Sequence, residues 1–274
     1  MSLSEAFSPE AWAVLSGPLR LTSMDLRDTQ RSVRARALLD GQVCAQVLEQ
    51  LGPVIGSPTR AITASLLAKR FSFLATGACL YAMSVCDKGL LLSLDNVVVE
   101  YAHDDGLWTS SMPLPDENLY GYRAGEREAW REAIVRSLFA GLLAPLWEVF
   151  HQVSGVSRRI LWDNTAVRVY SLYEKRMAKL EDPQVRQRAE ADFHWLMHEA
   201  DPALFGLSYN PLAHFRRDPT LLPDGKSIRF RRTCCLNAAP SCSAASACCW
   251  SIPPQTALPA ACRRTGPCGA GILL

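Results

Sequence analysis

The sequence has 274 residues, 49% of them hydrophobic, with 29 basic and 27 acidic side chains and a formal net charge of +2. That length suits one large domain or two modest ones, and the apolar content is ample for a core that folds without covalent staples. Charges so nearly balanced give no broad positive field for a nucleic-acid backbone, so a DNA or RNA partner is not expected.

The opening stretch MSLSEAFSPEAW contains acids and no basic segment ahead of an apolar run, unlike a secretory signal, which points to the cytoplasm. From Thr29 to Leu51 the apolar residues Val33, Ala37, Val43, Val47, Leu48 and Leu51 recur at roughly helical spacing and predict an amphipathic helix ending near Gly52-Pro53. A second helix is expected after Ser57, with Pro58 in its first turn, continuing through Ile62, Leu66, Leu67, Phe71 and Leu74. The β-branched Val97, Val98 and Val99 favour a strand, and Asp104-Asp105-Gly106 is a turn signal before Leu107-Trp108, so a hairpin or small antiparallel sheet follows.

Glu126 to His151 alternates charged and apolar residues at helical period and predicts one long helix. Its most apolar part, Ser137 to Phe150, contains Pro145 and Glu148 and falls short of the roughly 20 residues a bilayer demands, so no membrane insertion is expected. Arg158 to Lys179 and Gln184 to Ala200 read as two more helices, bounded by Asp182-Pro183 and Asp201-Pro202. The expected fold class is α+β and predominantly helical, a single unit over residues 1–226 with a small antiparallel sheet, followed by a cysteine-rich tail.

At Leu236 the composition changes. Residues 237–274 hold nine Ala, five Pro, five Cys and four Ser, no acid, and only Arg263 and Arg264 as charges. Without patterned apolar surface such a segment cannot offset its chain entropy, and residues 250–274 are expected to be disordered. Seven of the ten cysteines lie at or after Cys234. In a reducing compartment a terminal cluster of this kind reads as metal ligation rather than disulfides, whereas Cys44, Cys79 and Cys86 sit among apolar neighbours as small core residues.

The string Arg231-Arg232-Thr233-Cys234-Cys235-Leu236 resembles the start of the cluster motif of bacterial siderophore-iron reductases, in which Cys-Cys is followed after ten residues by Cys-x-x-Cys. Upstream, Arg159-Ile160-Leu161-Trp162-Asp163-Asn164-Thr165-Ala166 is similar to the Leu-Trp-x-Asn segment of that family. The resemblance covers most of the chain up to Leu236. It implies a [2Fe-2S] cluster in a motif over residues 227–249, a ferric siderophore as substrate, and a separate electron donor that the residues do not identify. Counted from Cys235, the third ligand position falls on Ser246 and the fourth on Cys249. The resemblance therefore implies Cys234, Cys235 and Cys249 as ligands, with Cys242, or alternatively Cys248, replacing the missing sulfur. Neighbouring side chains diverge in extended backbone, so Cys234 and Cys235 share one cluster only where the chain turns. Arg231 and Arg232 read either as charges that tune the cluster or hold an anionic chelate, or as solvated charges beside a strand.

Other patterns are weaker. His194 and His198, spaced i, i+4, could present two imidazoles on one helical face, but Trp195 stands where a zinc-protease motif needs Glu, and a solvated or half-buried helix face is the better reading. His103 with Asp104 and Asp105 is more easily a turn than an acid/base group. No Gly-rich phosphate loop, nucleophile elbow or dinucleotide fingerprint is present. Two alternatives to a reductase stay open at this point: a siderophore-binding module without a cluster, and a structural zinc site using Cys234, Cys235 and two later cysteines. The abrupt loss of carboxylates and periodicity after Leu236 has the texture of a frameshifted gene end. Translation of the encoding DNA in the other two frames is expected to reveal a Cys-x-x-Cys soon after codon 235, and finding none in either frame would count against a frameshift.

Overall fold

The computed structural model of the chain describes residues 2–116, 119–123, 125–221, 227–229 and 231–233. Helix α1 (Pro9–Ser16) begins at Ser8, whose side chain accepts a hydrogen bond from the Ala11 amide, and is followed by strands β1 (Leu21–Ser23) and β2 (Ser32–Arg34). One 3-10 segment, Ala35–Leu39, precedes helix α2 (Gly41–Val54), capped by Asp40, which accepts from the Gln42 amide at 2.7 Å. The helix expected from Thr29 therefore starts only at Gly41, because the β-branched Val33 is taken up in a strand instead.

Helix α3 (Arg60–Ser84) is capped by Thr59, which accepts from the Ile62 amide at 3.3 Å, so Pro58 lies before the cap and not in the first turn. It runs well past Leu74 and is buried on nearly all sides from Thr63 to Ser84, the signature of a central core helix rather than a surface one. Six short strands follow: β3 (Gly89–Leu90), β4 (Val98–Glu100), β5 (His103–Asp104), β6 (Leu107–Trp108), β7 (Met112–Leu114) and β8 (Leu119–Tyr120). The expected hairpin is β5–β6, with Asp105 (φ 42°) and Gly106 (φ 78°) both left-handed as a tight two-residue turn requires. β4 pairs antiparallel with β2, placing Val33 opposite Val99, and β3 pairs antiparallel with β8. The β1–β7 pairing is parallel, Leu21 opposite Met112, and joins segments too far apart in sequence for any local signal.

Helix α4 (Arg127–Arg136), a π-helical stretch Ser137–Leu143 and helix α5 (Ala144–Ser154) form one helical run. By length and composition this 28-residue run could cross a membrane, which its apolar part Ser137 to Phe150 is too short to do alone. Half of its most apolar window is buried inside the fold, where Leu138, Phe139, Leu142, Leu143 and Leu146 are core residues. Helix α6 (Arg158–Ser171) continues through π-helical and 3-10 turns to Lys179, and α7 (Pro183–His198) starts at Asp182 with Pro183 in its first turn. Past the 3-10 turn Pro202–Phe205 come α8 (Pro211–Phe215) and the antiparallel pair β9 (Thr220–Leu221) and β10 (Ser227–Ile228). The architecture is predominantly helical with small strand pairings, as the sequence predicts.

α3 and α6 lie side by side through a seam of small polar groups. Ser72 and Thr165 share a hydrogen bond of 2.9 Å, the Asn164 amide donates to the Ser65 carbonyl at 3.2 Å, and Trp147 Nε1 donates to Thr165 at 3.1 Å. A second buried polar group ties α7 to α4: Asp192 accepts from Arg127 at 2.9 and 2.8 Å and from Arg131 at 3.1 Å, with the Arg131 guanidinium 3.9 Å from the Trp195 ring. Removing one partner of a buried ion pair strands the others and costs about 3–5 kcal/mol. Asp192→Ala is accordingly expected to lower the unfolding free energy in urea by about 3 kcal/mol or more, and a loss below about 1 kcal/mol would show that Arg127 and Arg131 do not depend on it.

Candidate functional site

The first turns of α6 contain an anomaly. Asp163, in the middle of Leu161-Trp162-Asp163-Asn164-Thr165, is wholly buried. A carboxylate in that environment requires donors, and they come from the far end of the described chain. Arg231 Nε donates to Asp163 Oδ2 at 3.2 Å, the Thr233 amide donates to the same oxygen at 3.0 Å, and the Thr233 hydroxyl donates to it as well. The other Arg231 branch donates to Asn164 Oδ1 at 2.7 Å, so Arg231 bridges two consecutive side chains of α6. Among the described residues Asp163 Oδ1, also buried, has no partner.

The same segment is held a second time, farther along the helix. Arg229 donates to Glu174, which also accepts from Arg216 at 3.0 Å, and the Arg229 guanidinium stands 5.6 Å from the Tyr170 ring. Arg229, Arg231 and Thr233 are two residues apart, the spacing that puts alternate side chains on one side of an extended strand. Their partners run from Glu174 and Tyr170 back to Asn164 and Asp163. The segment thus lies antiparallel along α6, and chain connectivity places Cys234 one peptide bond beyond the last anchored residue.

Cys234, Cys235, Cys242, Cys248 and Cys249, the expected ligands, lie outside the described residues, as does residues 250–274. Within the described part Cys44 and Cys79 are buried and Cys86 is half-buried, all three as free thiols. Burial pushes the thiols of Cys44 and Cys86 up to about 11 and that of Cys79 higher still, which disfavours the thiolate a metal needs. Among the described residues no group of three or more His, Cys, Asp or Glu side chains is placed to hold a metal. His194 and His198 do share a helical face, with ring centroids 4.8 Å apart, but His194 turns to Glu199 at 3.0 Å and both imidazoles are exposed. His103 is buried edge-on to Trp108 at the hairpin. Among the described residues the three cysteines are therefore core thiols rather than a ligand set.

The two readings of the arginine pair separate. Arg231 is committed to Asp163 and Asn164, whereas Arg232 is exposed and, among the described residues, reaches the Arg216 carbonyl at 3.4 Å. Close by, a row of guanidiniums runs between α3 and α6. Arg70 and Arg168 stand 5.4 and 5.8 Å from the Phe73 ring, and Arg20 and Arg70 both donate to the Ser110 carbonyl. Burial first, then the charges of Arg20 and Arg168, pull the Arg70 guanidinium down to about 10, and burial followed by the charge of Arg231 does the same for Arg168. Both remain cationic at neutral pH. The sequence motif reading singled out Asp163 only as part of a string, and Arg168 not at all. The available signal was a lone carboxylate between Trp162 and Asn164 in an otherwise apolar helix face, which implies a distant cation.

Asp163→Asn keeps the size of the side chain but weakens the acceptor on which Arg231 and Thr233 converge. Its expected effect is amide exchange at Thr233 at least about tenfold faster, with α3 and α6 amides unchanged, measured by hydrogen exchange. Unaltered protection at Thr233 would show that the segment is held without Asp163.

No curated protein matches the chain. The family described as "Ferric iron reductase FhuF-like transporter" matches residues 65–219, a span that runs from within α3 to the residues before β9 and includes Asp163, Asn164, Arg168 and Glu174. With more than half of its length matched, this chain belongs to the FhuF-like ferric iron reductase family.

Proposed function

We propose that the protein is a cytoplasmic ferric siderophore reductase that delivers one electron to siderophore-bound Fe(III), using a [2Fe-2S] cluster held by Cys234, Cys235, Cys249 and Cys242, with Cys248 as the alternative fourth sulfur. The observation that supports this reading most directly is the anchoring of the segment that enters Cys234-Cys235: Arg231 and Thr233 are locked onto Asp163 and Asn164 of the Leu161-Trp162-Asp163-Asn164 string. Family membership supports the ferric reductase class in general.

A cluster of this type, when bound, supplies single electrons at a potential somewhere within about −700 to +450 mV. The remaining work belongs to the chain's own residues. Asp163, Asn164 and Glu174 hold the arginine-rich segment against α6, so that the thiols following it start from a fixed point on the rigid helical body. Arg232, exposed beside that point, and the partly buried Arg70 and Arg168 present positive charge to an anionic chelate. The substrate gains one electron, Fe(III) becomes Fe(II), and the hard oxygen donors of a siderophore hold the ferrous ion far less firmly, so that it leaves to cellular acceptors. The electron comes from a separate donor protein or reduced cofactor.

The substitution of Ser246 at the third ligand position favours a second reading, a siderophore-binding module that retains the helical body and has lost electron transfer. One experiment separates the two. Anaerobic purification with iron and sulfide reconstitution is expected to give visible absorbance and a reduced-state EPR signal, which Cys234→Ser or Cys235→Ser abolishes while the helical circular dichroism stays unchanged. A colourless, EPR-silent parent protein supports the binding module, zinc at one equivalent without sulfide supports a structural zinc site, and full absorbance in either mutant overturns the ligand assignment.

A further inference from the structure

Between α3 and α6 lies a cavity of about 20 Å³, lined by Leu19, by Phe73, Thr76 and Gly77 of α3, and by Arg168 and Ser171 of α6. Gly77 makes the space: beyond its own helix, a Cβ added there would meet only Leu19 Cδ2, at 3.2 Å, so a methyl group would stand in the gap. One water needs roughly 10–15 Å³ of such space, so the cavity takes a single water-sized occupant and nothing larger.

Charge decides what that occupant is. The Arg168 Nε is buried and, among the described residues, has no hydrogen-bond partner. Its guanidinium stands 5.8 Å from the Phe73 ring, which attracts a cation but leaves the N–H unmade. Asp163 and Glu174, the carboxylates on either side of it in the chain, pair with Arg231, Arg216 and Arg229 instead. Burial first, and then the charges of Arg20 and Arg168, hold the Arg70 guanidinium down, so the excess of positive charge is shared. Glu100, the carboxylate felt at Arg70, already accepts from the Asp28 amide at 2.8 Å and from the Ser111 amide and hydroxyl at 2.7 Å. A water in the cavity would satisfy the Arg168 donor and leave the charge in place, whereas a monoatomic anion meets both. The Ser171 hydroxyl of the lining can turn to donate to it as well, while Thr76 donates to the Ser72 carbonyl at 2.6 Å.

We propose that this cavity is a halide site, in which one chloride ion accepts from the Arg168 Nε and the Ser171 hydroxyl and completes the seam between α3 and α6. The site goes beyond the reductase reading and does not depend on it. Chloride is scarcely larger than water, whereas polyatomic anions are excluded by size. Arg168 lies one turn past Asn164, which accepts from Arg231 at 2.7 Å, and burial first, then the charge of Arg231, lowers the Arg168 guanidinium. An anion bound to Arg168 therefore offsets its repulsion with the arginine that anchors the Thr233 segment. The hold on that segment becomes chloride-dependent.

The test uses the full chain in sodium chloride and in sodium gluconate at equal ionic strength, gluconate being too large for the gap. Chlorine NMR reads binding directly: the parent protein is expected to broaden the chloride line. Two variants are expected to remove more than half of that excess: Gly77→Ala, which fills the gap and keeps every charge, and Arg168→Gln, which keeps a donor and removes the charge. The thermal midpoint in chloride minus that in gluconate is expected to be about 2 °C or more higher for the parent than for either variant, a comparison that cancels general salt effects. Amide exchange at Thr233 is expected to be slower in chloride than in gluconate for the parent, with no such difference in Gly77→Ala. Where Gly77→Ala disturbs the fold, as judged by circular dichroism, Arg168→Gln carries the comparison. Equal broadening and equal midpoint differences in the parent and both variants overturn the halide site and leave water as the occupant. Broadening that is lost in both variants, with exchange at Thr233 indifferent to chloride, keeps the site and overturns its link to the anchored segment.

Discussion

A carboxylate with no exposed surface in the middle of a helix is the constraint around which the C-terminal part of the described chain is arranged. Among the described residues none of the arginines of its own helix bonds Asp163, and its three donors come from Arg231 and Thr233. Desolvating an ion pair costs several kcal/mol per charge, and well-packed apolar residues in the same place are often as stable or more so. Stability alone therefore gives no reason for Asp163. Register does: the carboxylate accepts from a side chain, a backbone amide and a hydroxyl of residues 231 and 233, and since a slip of the segment by one residue would only exchange Arg231 for Arg232 as cation, it is the Thr233 hydroxyl that tells the two registers apart. What is specified is the position of Thr233 along α6.

The seam between α3 and α6 makes that specification rigid. Ser65, Ser72, Thr165 and Asn164 exchange hydrogen bonds across it, and Asn164 uses its amide nitrogen toward α3 and its oxygen toward Arg231. One side chain therefore reads the central helix on one side and the cysteine segment on the other. Because α3 is buried nearly all round, movement of α6 relative to it would disturb the whole core, and the anchor inherits the stiffness of the body. Glu174 adds a second fixed point about one turn beyond Tyr170, gathering Arg216 from the chain after α8 and Arg229 from the segment itself.

What the sequence disclosed follows the range of the forces involved. The hairpin at Asp105-Gly106 and the start of α7 were readable because their causes are local: left-handed turn residues, and an Asp-Pro pair ahead of a helical run. The start of α2 was misplaced from Gly41 to Thr29 because Val33 fits a helical stripe as well as a strand, and only its partner Val99, far along the chain, decides. The parallel β1–β7 pairing was invisible for the same reason. At the site, the string around Cys234 and the string around Asn164 were each noticed, but as two separate likenesses. That they are two halves of one contact depends on a pairing of Asp163 with Arg231 that no periodicity encodes. Arg168 left no trace at all, since an arginine on a helix is most often a solvated charge.

Net charge conceals the electrostatics in a similar way. Over the whole chain basic and acidic residues differ by only two, so the totals give no sign of a local excess of charge. Around the anchor, Arg216, Arg229, Arg231 and Arg232 face Asp163 and Glu174, so four guanidiniums meet two carboxylates in one place. Arg168, whose Nε has no hydrogen-bond partner among the described residues, feels the charge of Arg231. At physiological ionic strength such a patch is felt over only about 8 Å, too short to steer a polyanion and sufficient to favour a small anion that has already arrived. A local excess of this size suits the holding of a small anion. It does little for a protein that must capture a long charged polymer from a distance.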